Sequence, residues 1–190
     1  MSTDWNGEVL DQIDTHWRQR LRPRLDGLSD DEYFWQPVAD CWTIRRRGER
    51  SAPTSYGSGD FTWDYDPPPY AQEPMTTIAW RLGHLIEGLA EMNGTYFGGP
   101  PTSIATFDYA GTAEGALTQL GDVYSAWTTG IRALGTPGLA EPQGLRSPPK
   151  FADAPVARVV LYTSVEVVHH GAELCLLRDL YLRERSQRRG

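Results

Sequence analysis

The sequence is poor in lysine, in cysteine and in long apolar runs, and each shortage excludes a class of protein. A single lysine, Lys150, and a formal net charge of -7 leave no basic footprint of the kind that nucleic-acid-binding proteins show. Two cysteines, Cys41 and Cys175, are too few for a disulfide framework. No apolar run is long enough to span a membrane, and the first residues lack a signal-peptide pattern. We expect a reduced, soluble, cytoplasmic protein that binds neither nucleic acid nor membrane.

What the sequence does contain is a repeating helical pattern. Its length of 190 residues, of which 39% are hydrophobic, predicts one domain over residues 1–190. Apolar residues recur at steps of three and four in four long segments, which is typical of helices with one buried face. These predicted helices cover about residues 5–27, 75–97, 112–134 and 155–183.

Helix-breaking and helix-capping residues refine the ends of these predicted helices. Pro23 should bend or end the first one, and Ser29 with Glu32 forms a capping box that predicts a short helix after it. Long loops are expected at residues 45–73, whose aromatic residues should pack on the body, and at residues 135–154. Because no segment carries a strong strand signal, the sequence predicts an all-α four-helix bundle.

The last helix places polar residues inside its apolar face. At about 100° per residue, Glu166 and His170 fall within the stripe that Val160, Val167 and other apolar residues define. His169 points to a flank that it shares with Arg158, Tyr162 and Glu173. The two consecutive histidines therefore have different surroundings, and Glu166 and His170 are neighbours at a spacing of four.

A third polar residue completes a possible metal site. His84 lies beside the apolar stripe of the second long helix, whereas His16 points away from the centre of the first. Metal sites in helical bundles are built from side chains on facing helices, so His84, Glu166 and His170 form the best set of three ligands. Such a set suits zinc with an open position, and also iron, nickel or manganese. The alternative is a hydrogen-bonded pair, Glu166 with His170 or with His84, that only orders the core.

Three stretches resemble a known family. "LRPRLDGLSDDEYFWQPVADCWTIRRR", "TTIAWRLGHLIE" and "TSVEVVHHGAEL" are similar to segments of the DinB-like, or YfiT-like, helical bundles. Many of those proteins use three histidines, but here Glu166 stands where the first histidine of the last helix would be. The resulting His, Glu, His set resembles the branch that includes mycothiol-dependent maleylpyruvate isomerase. The resemblance implies zinc at His84, Glu166 and His170, and mycothiol as the thiol that this metal activates.

Three functions remain open at this point. The first is a metal-dependent thiol S-transferase or isomerase, which would act on a small-molecule electrophile and a thiol. The second is a metal-dependent hydrolase of a small molecule, and the third is a non-enzymatic bundle that binds a small ligand. The resemblance is compatible with a monomer or a homodimer.

No acid or base outside the ligands can be assigned from the sequence. Glu87 and Glu91 are expected to be surface charges, although either could hydrogen-bond His84. Trp42 and Trp80 are candidates for the wall of the cleft. The basic run at residues 45–47 is expected to be a solvated turn, with contact to an anionic substrate as the alternative.

Overall fold

Four long helices form the body of the protein in the predicted order. The computed structural model describes residues 3–49 and 53–188. The helices are α1 (Trp5–His16), α2 (Arg22–Leu25), α3 (Asp30–Tyr33), α4 (Ile78–Phe97), α5 (Ala113–Ala140) and α6 (Val156–Gln187). The prediction of an all-α four-helix bundle is confirmed.

The first helix changes its geometry before the proline that was expected to disturb it. A π-helical turn, Trp17–Leu21, joins α1 to α2, and the Arg22 N–H donates to the Trp17 carbonyl five residues back. Pro23 has no N–H for the carbonyl four residues before it, and its ring would clash with that carbonyl in a regular helix. The wider π turn removes this clash, so the chain continues as a helix to Leu25.

The predicted starting points of the later helices agree with the structure. Thr77 caps α4 by accepting from the Trp80 N–H, and Thr112 caps α5 by accepting from the Gly115 N–H. α5 breaks where its end was predicted, at Gly135, whose φ of 59° lies in the left-handed region. Helical structure then resumes to Ala140. Two short 3₁₀ turns, Gly144–Arg146 and Pro149–Phe151, precede α6.

The core lies between the apolar faces of α1, α4, α5 and α6. α1 and the π turn pack on α5, where the Trp17 and Tyr124 rings stack with centroids 3.8 Å apart. α4 packs on both α5 and α6. The largest fully buried side chains from these helices include Leu82, Leu89, Leu120, Trp127, Ile131 and Leu174. This packing fixes α4 and α6 side by side, which decides which of their polar residues meet.

The segment predicted as the first long loop contains a small antiparallel sheet. Its strands are β1 (Ile44–Arg46), β2 (Ser55–Tyr56) and β3 (Phe61–Asp64), in the spatial order β1-β3-β2. β3 is too short, and its alternation of apolar and polar residues too brief, to give a clear strand signal in the sequence. The prediction that aromatic residues of this segment pack on the body is correct for Trp63, which is buried.

This sheet is anchored to the first turns of α4. The Trp80 indole N–H donates to the Asp64 carbonyl at 2.6 Å, and the Trp63 indole N–H donates to the Trp80 carbonyl at 3.1 Å. Gly83 permits the close approach, because a Cβ there would lie 3.0 Å from Ile44 Cδ1 and 3.2 Å from Trp63 Cδ1. The sheet therefore fixes the part of α4 that carries His84.

None of the helices in the described part of the chain combines the length and the apolar character needed to cross a bilayer.

Candidate metal centre

His84 of α4 and Glu166 and His170 of α6 come together in the structure. Glu166 Oε2 lies 3.2 Å from His170 Nε2 and 3.7 Å from His84 Nε2. One ligand atom from each residue lies within 4.8 Å of the other two, a spacing at which all three could hold one metal ion. The three residues picked from helical spacing thus form one cluster, at the edge of the core between α4 and α6.

His84 is positioned by a stack of aromatic rings from the sheet. Its ring is nearly parallel to those of Trp80 and Trp63, with centroid separations of 5.5 Å and 6.1 Å. Trp63 and Trp80 stack on each other at 4.9 Å. Trp80 therefore forms a wall beside the site, whereas Trp42 packs behind it, 6.3 Å from Trp80.

His170 is oriented by a carboxylate on its far side. Glu173 Oε2 lies 2.6 Å from His170 Nδ1, and the Arg81 guanidinium forms an ion pair with the same carboxylate oxygen. A short contact of this kind indicates that Nδ1 carries the proton and donates it to Glu173. The lone pair of Nε2 then faces Glu166, which is the arrangement that metal-binding histidines adopt.

Arg81 also lies 3.0 Å from His170 Nδ1, and this contact defines the competing state. If Nδ1 accepted from Arg81, Nε2 would carry the proton and donate it to Glu166. That tautomer corresponds to the metal-free hydrogen-bonded pair. The Glu173 contact is the shorter of the two, so the geometry favours the tautomer that leaves Nε2 free.

Burial keeps His84 neutral. Desolvation, followed by repulsion from the neighbouring His170, lowers the pKa of His84 to about 4. An imidazole binds a metal only through an unprotonated nitrogen. His84 is therefore in its ligating form at neutral pH.

The cluster opens on a small cavity, called here the metal chamber. Its volume is about 170 Å³, and it lies between α4 and α6. The residues that line it, besides His84 and Glu166, are Leu85, Glu87, Gly88, Leu89, Glu91, Met92, Tyr162, Thr163 and Val167. The wall combines apolar side chains such as Leu85, Leu89 and Met92 with the carboxyl groups of Glu87 and Glu91, so a small group could approach the ligands beside groups that can exchange hydrogen bonds with it.

Glu87 is buried in this wall, which corrects the expectation that it is a surface charge. It is 5% exposed, and its Oε1 has no hydrogen-bond partner among the described residues. Burial, with a smaller contribution from nearby Glu91, raises the pKa of Glu87 to about 7. Glu91 itself is exposed. The metal chamber therefore contains a carboxyl group that can exchange a proton near neutrality.

The remaining histidines lie elsewhere. His169 is exposed, and its Nε2 is 3.5 Å from Glu173 Oε1. His169, His170 and Glu173 form a second possible metal cluster. Its Glu173 is already engaged by His170 and Arg81, so the first cluster has the freer ligand atoms. His16 lines a separate apolar groove between α1 and α6.

The expectation that residues 45–47 form a solvated turn is correct for Arg47, which is exposed in the turn after β1, and wrong for Arg45 and Arg46, which lie in the strand. Arg45 Nε donates to the buried Asp64 carboxylate at 3.0 Å. Arg46 lies over the Phe61 ring, and Arg47 donates to the carbonyls of Gly57 and Gly59. These cations support the sheet that positions His84, away from the metal chamber.

The fold and the site together define a helical-bundle protein with a possible His/Glu/His metal centre. The family model of the DinB superfamily matches residues 12–174. The chain therefore belongs to the DinB superfamily. No curated protein and no solved structure matched the chain in the same comparisons.

Proposed function

We propose that the protein is a metal-dependent enzyme that uses a low-molecular-weight thiol such as mycothiol. It would transfer the thiol to an electrophile, or isomerise the electrophile by adding and releasing the thiol. The observation that carries the proposal is the convergence of His84, Glu166 and His170 beside the metal chamber. Two imidazoles and one carboxylate suit zinc first, and nickel or iron as well. A metal ion held there would supply positive charge that lowers the pKa of a bound thiol.

The residues of the chain would hold and orient the reactants. Glu173 and Arg81 keep His170 Nε2 directed at Glu166, so the ligand set is organised before a metal arrives. Three protein ligands leave room for a further group on the side of the metal chamber. Leu85, Met92 and neighbouring apolar residues would pack against the apolar part of a reactant on that side.

The chemistry balances with the thiol as the only co-reactant. In the transfer, the thiol gives its proton to solvent, its sulfur bonds to the electrophilic carbon, and the leaving group departs with the bonding electrons. In the isomerisation, sulfur adds to a double bond, the resulting single bond rotates, and sulfur then departs with its electrons.

Glu87 favours a second candidate, a metal-dependent hydrolase. A hydrolase needs a group that accepts a proton from water near the metal, and a pKa of about 7 suits that task. Glu87 lines the same chamber as His84 and Glu166. Turnover that requires metal but no thiol would select this candidate.

The test begins with the metal content of the protein purified without added metal. Elemental analysis should find close to one equivalent in the wild type and a large loss in His170→Ala. Less than about a tenth of an equivalent in both would overturn the metal centre. The zinc-loaded protein should then conjugate mycothiol to 1-chloro-2,4-dinitrobenzene faster than free mycothiol reacts. If the protein binds metal but turns over no substrate, with or without thiol, the result would favour the third function, a non-enzymatic bundle that binds a small ligand.

A further inference from the structure

A second, larger cavity adjoins the metal chamber. Its volume is about 540 Å³, within the range of pockets that hold small organic molecules. Glu91, Met92 and Tyr162 line both cavities, so the two meet at these residues. Tyr162 and Glu166 lie four residues apart on α6 and are therefore neighbours on one face of the helix. A molecule that enters the second cavity can therefore reach the metal ligands past Tyr162.

Aromatic rings and two arginines form the wall of this second cavity, called here the arginine chamber. Arg146 lies over the Tyr96 ring at 5.0 Å, and Arg158 lies over the Phe151 ring at 4.6 Å. Rings beneath the guanidinium groups hold them in place and leave their edges available for hydrogen bonds.

The position of Arg146 is further fixed by a buried amide. Arg146 donates through Nε to the Gln143 carbonyl at 3.0 Å and through Nη2 to the Pro142 carbonyl at 3.1 Å. Gln143 is buried, accepts from the Tyr96 hydroxyl at 3.0 Å, and donates to the Pro155 carbonyl at 3.1 Å. These bonds connect the 3₁₀ turn that carries Arg146 to α4 and to the start of α6.

The charges in the arginine chamber are not balanced. Among the described residues, no carboxylate forms an ion pair with Arg146 or Arg158. Glu91, at the junction with the metal chamber, is the acidic residue in the lining. Two cations and one anion leave an excess positive charge above apolar and aromatic walls. An organic molecule with an apolar body and an acidic end fits this combination.

We propose that the arginine chamber binds the carboxylate or phosphate end of the electrophile, whose reacting carbon then lies at the metal centre. The proposal names the substrate class for the proposed function and rests on that function for the position of the reacting group. Arg158 supplies an unpaired guanidinium for the acidic end, and Arg146 adds its remaining N–H groups. Tyr96, Phe151 and Tyr162 contact the apolar body.

The test compares an acidic probe with a neutral probe of the same shape. Binding of 4-phenylbutyrate and of 4-phenylbutan-1-ol is measured by calorimetry on the zinc-loaded protein. The acid should bind about tenfold tighter than the alcohol, because one charge-assisted hydrogen bond is worth about that factor. Arg158→Gln should remove this preference without changing the affinity for the alcohol. Arg183→Gln, on the same helix and outside the chamber, is the matched control.

Further probes distinguish a site for carboxylates from a site for phosphate esters. If 4-phenylbutyl phosphate binds more tightly than 4-phenylbutyrate, the chamber is assigned to phosphate esters. If 4-phenylbutyrate binds more tightly, the chamber is assigned to carboxylates. Equal binding of the acids and the alcohol, or an acid preference that survives Arg146→Gln/Arg158→Gln, would overturn the proposal. Circular dichroism confirms that the variants are folded.

The same probes distinguish this proposal from the proposed function. In metal-free protein the acid preference should persist, because both arginines line the arginine chamber and neither lines the metal chamber. A protein that binds no metal but keeps an arginine-dependent acid preference retains the chamber and loses the thiol enzyme. With metal present, 4-(4-mercaptophenyl)butyrate should bind the zinc form more tightly than the metal-free form. Equal affinity would show that the two chambers do not serve one molecule.

Discussion

The two flanks of α6 differ in what their neighbours offer them. On one flank Glu166, His170 and Glu173 face α4, where His84 lies beside Glu166 and Arg81 contacts both His170 and Glu173. Glu173 was expected on the flank of His169, but its carboxylate pairs with His170 and Arg81. On the other flank the exposed Val165 and Val168 line an apolar groove beside α1. His169 lies on that groove and His170 in the cluster, although the two are adjacent in sequence. The surroundings of a histidine on α6 therefore depend more on the neighbouring helix than on its position in the sequence.

The largest effect should come from removing, in separate variants, the ligand that distinguishes each of the two possible metal clusters. Both clusters contain His170, but Glu166 belongs to the first and His169 to the second. We expect Glu166→Gln to weaken zinc binding more than about 100-fold, since removing a ligand costs more than removing an outer partner. His169→Ala should leave the affinity unchanged. Competition with a chromophoric chelator measures both.

The reverse result would reassign the site. A large loss in His169→Ala with no loss in Glu166→Gln would place the metal at His169, His170 and Glu173. Matching losses in both variants would contradict the separation of the two flanks.

A smaller effect is expected from the residue that orients His170. Glu173→Gln keeps the shape of the side chain but removes the charge that fixes the Nδ1 proton and pairs with Arg81. Zinc affinity should fall about 10- to 100-fold, because outer partners of ligating histidines have effects of that size. Asp179→Gln on α6, whose carboxylate pairs with Arg24, is the control. Unchanged affinity in Glu173→Gln would show that Glu173 does not orient a ligand.

The buried and exposed faces of α6 should also differ in stability. Val167 is 1% exposed and Val165 is 62% exposed, two residues apart on the same helix. Val167→Ala should lower the free energy of unfolding by about 2 kcal/mol, through lost burial and the cavity left behind. Val165→Ala should change it by less than about 0.5 kcal/mol. Urea denaturation of the metal-free proteins at equal slope measures the difference, and similar midpoints for the two variants would contradict it.

The features of this protein that can be predicted from its sequence are the local ones. Helical spacing identifies the residues that share one face, so it brought Glu166 and His170 together and separated His169 from them. Capping chemistry located Ser29 and Thr112 as helix starts, because a cap is a local feature. The cap of α4, Thr77, was not identified, and that helix was expected to begin at about residue 75. The chain's place in the DinB superfamily agrees with the resemblance seen in the three quoted stretches.

The residues that were missed depend on tertiary contacts. Arg81 lies three residues before His84, and Glu173 three after His170, a spacing that would have placed them beside the ligands. Nothing in that spacing shows that they pair with each other across the helices. Glu87 is buried partly because Tyr109, from the segment before α5, packs over this part of α4, where it lies close to Gly83.

The smallest effect concerns Glu87 and extends the comparison of buried and exposed residues to α4. The folded-state pKa of about 7 lies above the ordinary value of 4.5, so the folded protein holds a proton that the unfolded chain releases. This contribution to stability is complete below pH 4.5 and is lost as the pH rises through 7. Glu87→Gln stays neutral throughout. It should match the wild type at pH 4 and exceed it by on the order of 1 kcal/mol at pH 8.

The control for this prediction is an exposed carboxyl group. Glu73→Gln lies in the exposed segment before α4 and should give the same difference from the wild type at both pH values. Urea denaturation at pH 4 and pH 8, with metal removed, isolates the titration of Glu87 because every other group is shared by the proteins compared. If Glu87→Gln and the wild type differ equally at both values, the pKa of Glu87 is the same in the folded protein and in the unfolded chain. The raised pKa of Glu87 is the property that suits it to proton transfer near neutrality, so the hydrolase would lose the observation that favours it.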